Sequence, residues 1–181
     1  MRVLIYAAVL MSGCARRQPP LEVLGTVPDF TLTAHSGSPF ESAMELRGRI
    51  WAANFVFTNC TGPCPRMTSQ MRRVQDETET IADVRMVTFT VDPARDTPKV
   101  LGEYATRQHA GKRWFFLTGT MEALHKLKRE AFLLGNIDGE LNHSTRFVLV
   151  DKESRIRAYY DTSEPDSIAR LVSDIRRLSE Q

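Results

Sequence analysis

Arg49-Ile50-Trp51-Ala52-Ala53-Asn54-Phe55-Val56-Phe57-Thr58-Asn59-Cys60-Thr61-Gly62-Pro63-Cys64-Pro65 is the stretch on which the fold turns. Its first half is a nearly unbroken apolar run, the pattern of a strand buried on both faces. It ends in two cysteines four residues apart, and behind them Met67, Met71 and Val74 recur at helical spacing. A strand, a cysteine-bearing turn and a helix make the first two elements of a βαβ unit. Val84 to Val91, with Val84, Met86 and Phe89, supplies its second strand.

Working outward, Thr97 to Arg107 is helical by composition and Arg113 to Leu117 forms a short strand. Leu124, Leu127, Ala131 and Leu134 line one face of a further helix, with Gly135 as its stop. Arg146 to Asp151 and Ile156 to Tyr160 read as a hairpin. A closing helix buries Ile168, Leu171, Val172, Ile175 and Leu178, with Ser163 and Asp166 as a capping box. Upstream, Phe30 and Leu32 alternate with polar residues before the turn His35-Ser36-Gly37, which predicts an N-terminal β-hairpin. The sum is an α/β architecture: a central mixed β-sheet flanked by helices.

With 181 residues the chain suits one domain. Its 24 basic and 22 acidic residues leave a net charge of +2, with no basic stripe, so nucleic acid is excluded as a partner class. The N-terminus looks like an export signal: Arg2, an apolar run from Val3 to Met11, then Ser12-Gly13-Cys14. The run is far shorter than the roughly 20 residues of a membrane span. Residues 1–13 are thus expected to be a cleaved lipoprotein signal and Cys14 the lipidated residue, although Met11 replaces the usual leucine of the lipobox. Residues 14–25, with Pro19 and Pro20, are expected to be a tether, and residues 26–181 the folded domain. Such a chain belongs in the bacterial cell envelope, held by lipid with its domain on the extracytoplasmic, periplasmic side, where disulfides persist.

Two thiols at a helix N-terminus are set up for chemistry, because unpaired N–H groups and the helix dipole favour thiolate. Residues four apart share a helix face, so Cys60 and Cys64 can grip one ion or bond each other. Soft thiolates suit Cu(I), and an added imidazole also admits Cu(II); zinc could use the same donors. A purely structural disulfide is disfavoured because so small a loop removes little unfolded-state entropy. Of four histidines, His35, His109 and His125 sit in a turn, near a helix end and within a helix, positions that suit solvated residues. Met67 and Met71 could offer thioether, but their spacing suits core packing.

Four stretches together resemble the Sco/SenC family of copper chaperones: Val27-Pro28-Asp29-Phe30; Phe57 to Pro65; Val91-Asp92-Pro93-Ala94-Arg95-Asp96-Thr97-Pro98; and Asn142-His143-Ser144-Thr145. The resemblance implies a thioredoxin-like fold and copper ligation by Cys60, Cys64 and His143. It implies copper delivery, as Cu(I) or Cu(II), to the copper-site subunit of cytochrome c oxidase during assembly, with other copper carriers or thiol reductants as further partners. In thioredoxin-like proteins the loop before the equivalent strand faces the dithiol, and Ser144-Thr145 takes that place here, which puts His143 opposite the cysteines. The role is a chaperone's rather than an enzyme's. The alternative is an envelope thiol-disulfide reductase using Cys60 and Cys64 as its redox pair, against which CxxxC rather than CxxC counts. A peroxiredoxin is weaker still, lacking a recognisable threonine and arginine environment. In the third stretch Asp96 or Thr97 caps the following helix, Asp96 being favoured, and Asp92 is a candidate for facing the thiols or a partner.

Overall fold

The computed structural model describes residues 19–135 and 144–181. Its centre is the apolar strand ahead of the cysteine pair, β4 (Ile50–Val56), every residue of which is buried. Before it come β1 (Gly25–Thr26), β2 (Thr31–Ala34), β3 (Pro39–Glu41) and the single turn α1 (Ser42–Glu45). After it come α2 (Cys64–Glu77), β5 (Val84–Thr90), α3 (Pro98–Arg107), β6 (Trp114–Thr118) and α4 (Met121–Lys126). The chain ends with β7 (Arg146–Val150), β8 (Arg155–Asp161) and α5 (Ser167–Ser179). The strands form one sheet in the order β1-β8-β7-β4-β5-β6-β2-β3. β4, β5 and β6 run parallel; the other neighbours are antiparallel.

Alternation along β4 divides the core. Ile50, Ala52 and Val56 face α2, α3 and α5, packing with Met67, Met71, Leu101, Ile168 and Leu171. Trp51, Ala53 and Phe55 face the other way, toward α4, Phe132 and the β2–β3 hairpin. Met67 and Met71 are thus core residues, as their spacing predicts. Asn54 is the polar exception: Trp114 Nε1 donates to Thr88 Oγ1 at 2.8 Å and Thr88 Oγ1 donates to Asn54 Oδ1 at 2.7 Å, a polar rung across the parallel strands.

Local details depart from the sequence reading in four places. The helix expected through Leu134 ends earlier: α4 stops at Lys126 and Leu127–Ala131 widens into a π turn, which carries Leu127 and Ala131 into the core. α5 has no capping box. Asp166 is its N-cap without a side-chain bond, and the Ser163 hydroxyl instead donates to Asp161. For α3 the cap is Thr97, whose hydroxyl accepts from Val100 N–H at 3.4 Å; Asp96 is engaged elsewhere. Ordered packing also begins before the expected boundary at residue 26. Arg177 donates to the carbonyl of Pro19 at 2.5 Å, Arg157 donates to those of Leu21 and Glu22, and Leu24 N–H bonds Ile156. Side chains remote in sequence hold this strap, so local periodicity could not reveal it. No helix among the described residues is long and apolar enough to cross a membrane.

Candidate metal centre

The site begins where β4 runs out. β4 and β5 both end at this pole of the sheet, and the antiparallel pairing of β7 with β4, Ala53 opposite Val148, brings the start of β7 to it as well. From Val56 the chain needs a fixed turn to reach α2, and Asp96 supplies it. Asp96 is 1% exposed, and its carboxylate accepts from Thr58 N–H at 3.1 Å, Thr58 Oγ1 at 2.5 Å and Thr90 Oγ1 at 2.5 Å. One buried carboxylate therefore clamps the chain leaving β4 to the end of β5. Such charge-assisted bonds are the strong kind and offset the cost of burying the carboxylate.

Cys64 is the first residue of α2 and is buried, whereas Cys60 is half-buried. Both thiols are free and hydrogen-bonded to each other. Gly62 lies under Cys60 Sγ, which sits 3.8 Å from where a Cβ would stand. Thr68, one turn into α2, donates to the Cys64 carbonyl at 2.9 Å and shares a 2.8 Å hydrogen bond with Tyr104 of α3. Burial pushes the Cys64 thiol up to about 12, and its bond to Cys60 adds to the rise, while backbone hydrogen bonds at Phe57 and Cys64 oppose it. At Cys64 burial outweighs the backbone hydrogen bonds of the helix start. Pro65 removes one N–H from the first turn, and Met67 N–H is already bonded to the Pro63 carbonyl. The pair is two free thiols, a half-buried outer sulfur and a buried inner one.

The described residues contain no group of three or more His, Cys, Asp or Glu side chains able to hold a metal ion. The thiols are two soft donors within the described set. His143 and Cys14 both lie outside it. The chain that follows His143 is well tied: Thr162 N–H and Oγ1 donate to the Thr145 carbonyl at 2.9 and 2.6 Å, and Gln70 of α2 donates to the Thr162 carbonyl at 3.0 Å. These bonds lock the chain at Thr145 to α2, the helix that carries Cys64.

Asp92 makes a long ion pair with Arg95 at 3.6 Å, and its N–H donates to Thr90 Oγ1. His35 is half-buried; its Nδ1 accepts from Phe116 N–H at 3.3 Å, and desolvation lowers its pKa. Thr58, Thr68, Tyr104 and Gln70 escape a motif-based reading because their roles arise from pairing across elements. Asp96 stands out in the sequence as a motif residue, but its bonds run to Thr58 and Thr90 rather than to the α3 terminus.

The SCO1/SenC family profile matches residues 20–180. A candidate copper-binding protein of Stutzerimonas stutzeri is 34% identical over 158 residues, covering 82% of this chain and 76% of its own. The crystal structure of a SCO1/SenC family lipoprotein from Bacillus anthracis superposes with a TM-score of 0.79 at 29% identity, covering 89% of this chain and 99% of that one. BsSco, a Sco-family cytochrome c oxidase assembly protein in which a disulfide switch was identified, superposes at 0.75 with 29% identity, covering 88% and 97%. The shared fold is the thioredoxin-like one implied by the motifs. A profile match spanning nearly every described residue, on a sheet that ends in a paired dithiol, makes this chain a member of the SCO1/SenC family.

Proposed function

We propose that the chain is a metallochaperone that carries copper on Cys60, Cys64 and His143 and hands it to the dinuclear copper site of cytochrome c oxidase. The observation that carries the reading is the free, mutually hydrogen-bonded thiol pair at the end of β4. Two soft donors and one imidazole suit either oxidation state of copper. Because ligation deprotonates both thiols, copper uptake releases protons and strengthens as pH rises. Cys60, the more exposed sulfur, is where an acceptor's ligand can first compete for the cargo, so transfer by ligand exchange starts there. The Stutzerimonas relative and the motif resemblance support copper; the BsSco likeness supports the oxidase.

The same thiols support a second reading, reduction of disulfides in the oxidase subunit or other exported proteins, favoured by the disulfide switch of BsSco. In that reaction Cys60 attacks a target disulfide, one target sulfur leaves, and Cys64 then attacks Cys60. The target departs as a dithiol and Cys60–Cys64 is left oxidised. Burial of Cys64 disfavours the thiolate that this second step needs.

Residues 1–13 act as the signal, Cys14 carries the lipid, and the domain works on the extracytoplasmic side; the likeness to the Bacillus anthracis lipoprotein supports the lipid anchor. Mixing copper-loaded protein with the copper-site domain of an oxidase subunit discriminates the roles. The chaperone reading predicts transfer to a pre-reduced acceptor. Transfer that fails there, alongside rapid reduction of an oxidised acceptor by the metal-free dithiol, would replace it with the reductase.

A further inference from the structure

The strap at residues 19–24 is fastened at the pole of the sheet opposite the dithiol. Its carbonyls at Pro19, Leu21 and Glu22 accept from Arg177 and Arg157, Leu21 packs against the core, and β1 then pairs Gly25 with Ile156. Ile156 stands opposite Val150, and Val150 opposite Trp51. Gly48 N–H bonds the Lys152 carbonyl at 2.9 Å, so the β7–β8 turn and the strap lie level with the start of β4. Cys60 lies beyond the other end of that seven-residue strand, about 20 Å away at the rise of an extended chain. Cys14 precedes Pro19 by five residues, which span about 18 Å at most. A lipid on Cys14 is therefore tied within that distance of the strap.

The strap also carries an apolar surface. Val23 and Leu24 are 54% and 41% exposed, and Leu133 is 57% exposed. Leu133 Cδ1 comes within 4.0 Å of the Cβ position at Gly25, which sets it beside β1 and next to the strap that carries Val23 and Leu24. Leu133 holds φ at 52°, a left-handed conformation that leucine seldom adopts.

We infer that the patch of Val23, Leu24 and Leu133 lies against the bilayer and that the dithiol pole is held away from it, facing the aqueous side. The inference rests on the lipid anchor proposed above. The occupant is the lipid surface because the five residues upstream of Pro19 tie the lipid close to the strap that carries the patch. Apolar side chains entering the headgroup boundary give the lipidated chain a second attachment, which fixes its orientation. The partner that receives the cargo must then present its site above the membrane, about 20 Å or more from it by the strand length.

Full-length protein in nanodiscs of phosphatidylethanolamine and phosphatidylglycerol, doped with a lipid bearing a gadolinium chelate, tests this by amide NMR. Signals of residues 23–26, Leu133 and Lys152 to Arg155 should be lost, while those of Thr58 to Arg66 persist. Substituting Val23→Ser and Leu24→Ser together, both exposed, should restore the signals of Leu133 and Lys152 to Arg155 with Cys14 still acylated. Equal loss at both poles of an acylated chain overturns the orientation and leaves the anchor standing. A double substitution that changes none of these signals overturns the orientation in the same way. An N-terminal mass without acyl groups on Cys14 overturns the anchor, and the orientation with it.

Discussion

Replacing Asp96 with alanine should loosen the dithiol end of the sheet more than any capping change in the same motif. The substitution strips the acceptor from three donors: Thr58 N–H, Thr58 Oγ1 and the buried Thr90 Oγ1. Hydrogen bonds to a charged group contribute about 1.5–3 kcal/mol each. Thr58 is half-buried, so water can replace part of its loss, and removing the buried carboxylate recovers some of its desolvation cost. The net is about 3 kcal/mol, a fall of about 1–2 M in the urea midpoint for a domain of this size. Asp96→Asn keeps one carbonyl oxygen and should cost about half as much. Thr97→Ala removes only the α3 cap and should cost about 1 kcal/mol. Urea unfolding of the three variants measures the order, and amide exchange at Thr58 reports the clamp directly. If Asp96→Ala costs no more than Thr97→Ala and Thr58 exchange is unchanged, the carboxylate does not organise the cysteine turn.

Met67→Leu with Met71→Leu conserves volume in the core and should cost less than about 1.5 kcal/mol while leaving copper affinity unchanged; a large loss of affinity by titration would make a thioether a ligand after all. Burial alone would raise the pKa of Asp151, but hydrogen bonds from Arg157, Arg155 and the Glu153 N–H hold it below the usual carboxylate range. A lowered folded-state pKa gives stability that is complete above the unfolded value near 4 and fades as pH falls through the folded one. Asp151→Asn should therefore lower stability at pH 7 and flatten the acid limb of the stability profile, as pH-dependent urea midpoints would show; an unaltered acid limb would refute the assignment. Limited alkylation of the reduced protein at pH 8 should label Cys60 well before Cys64, whose thiol stays protonated and buried; peptide mapping that finds Cys64 labelled first would invert their roles.

Long apolar runs carried most of the fold in plain sight. β4 is buried throughout, and its continuous hydrophobicity marks it as a strand covered on both faces. The helix faces of Met67, Met71 and Val74 and of Ile168, Leu171 and Ile175 were equally direct. What eluded the sequence were polar pairings between remote residues. The strap at residues 19–24 has no periodic pattern because Arg157 and Arg177 hold its backbone carbonyls, and nothing local encodes that. Asp96 sits beside a threonine and a proline that announce a helix start, and the nearer explanation concealed the bond to Thr58 thirty-eight positions away. Cys60 and Cys64 were legible as a pair from spacing alone. The acidity of Cys64 was not, because it depends on how deeply the turn is buried, a property of the packed sheet.

Titration of the soluble domain with Cu(I) without oxygen, and with Cu(II) in air, tests the central claim most directly when wild type is compared with Cys60→Ser, Cys64→Ser and His143→Ala. The account predicts one copper per chain, loss of tight binding in both cysteine variants, and weakened binding in His143→Ala with a changed Cu(II) spectrum. Wild-type affinity for both copper states in His143→Ala would contradict the three-donor centre, and stoichiometric binding that survives loss of either cysteine would contradict the dithiol site altogether.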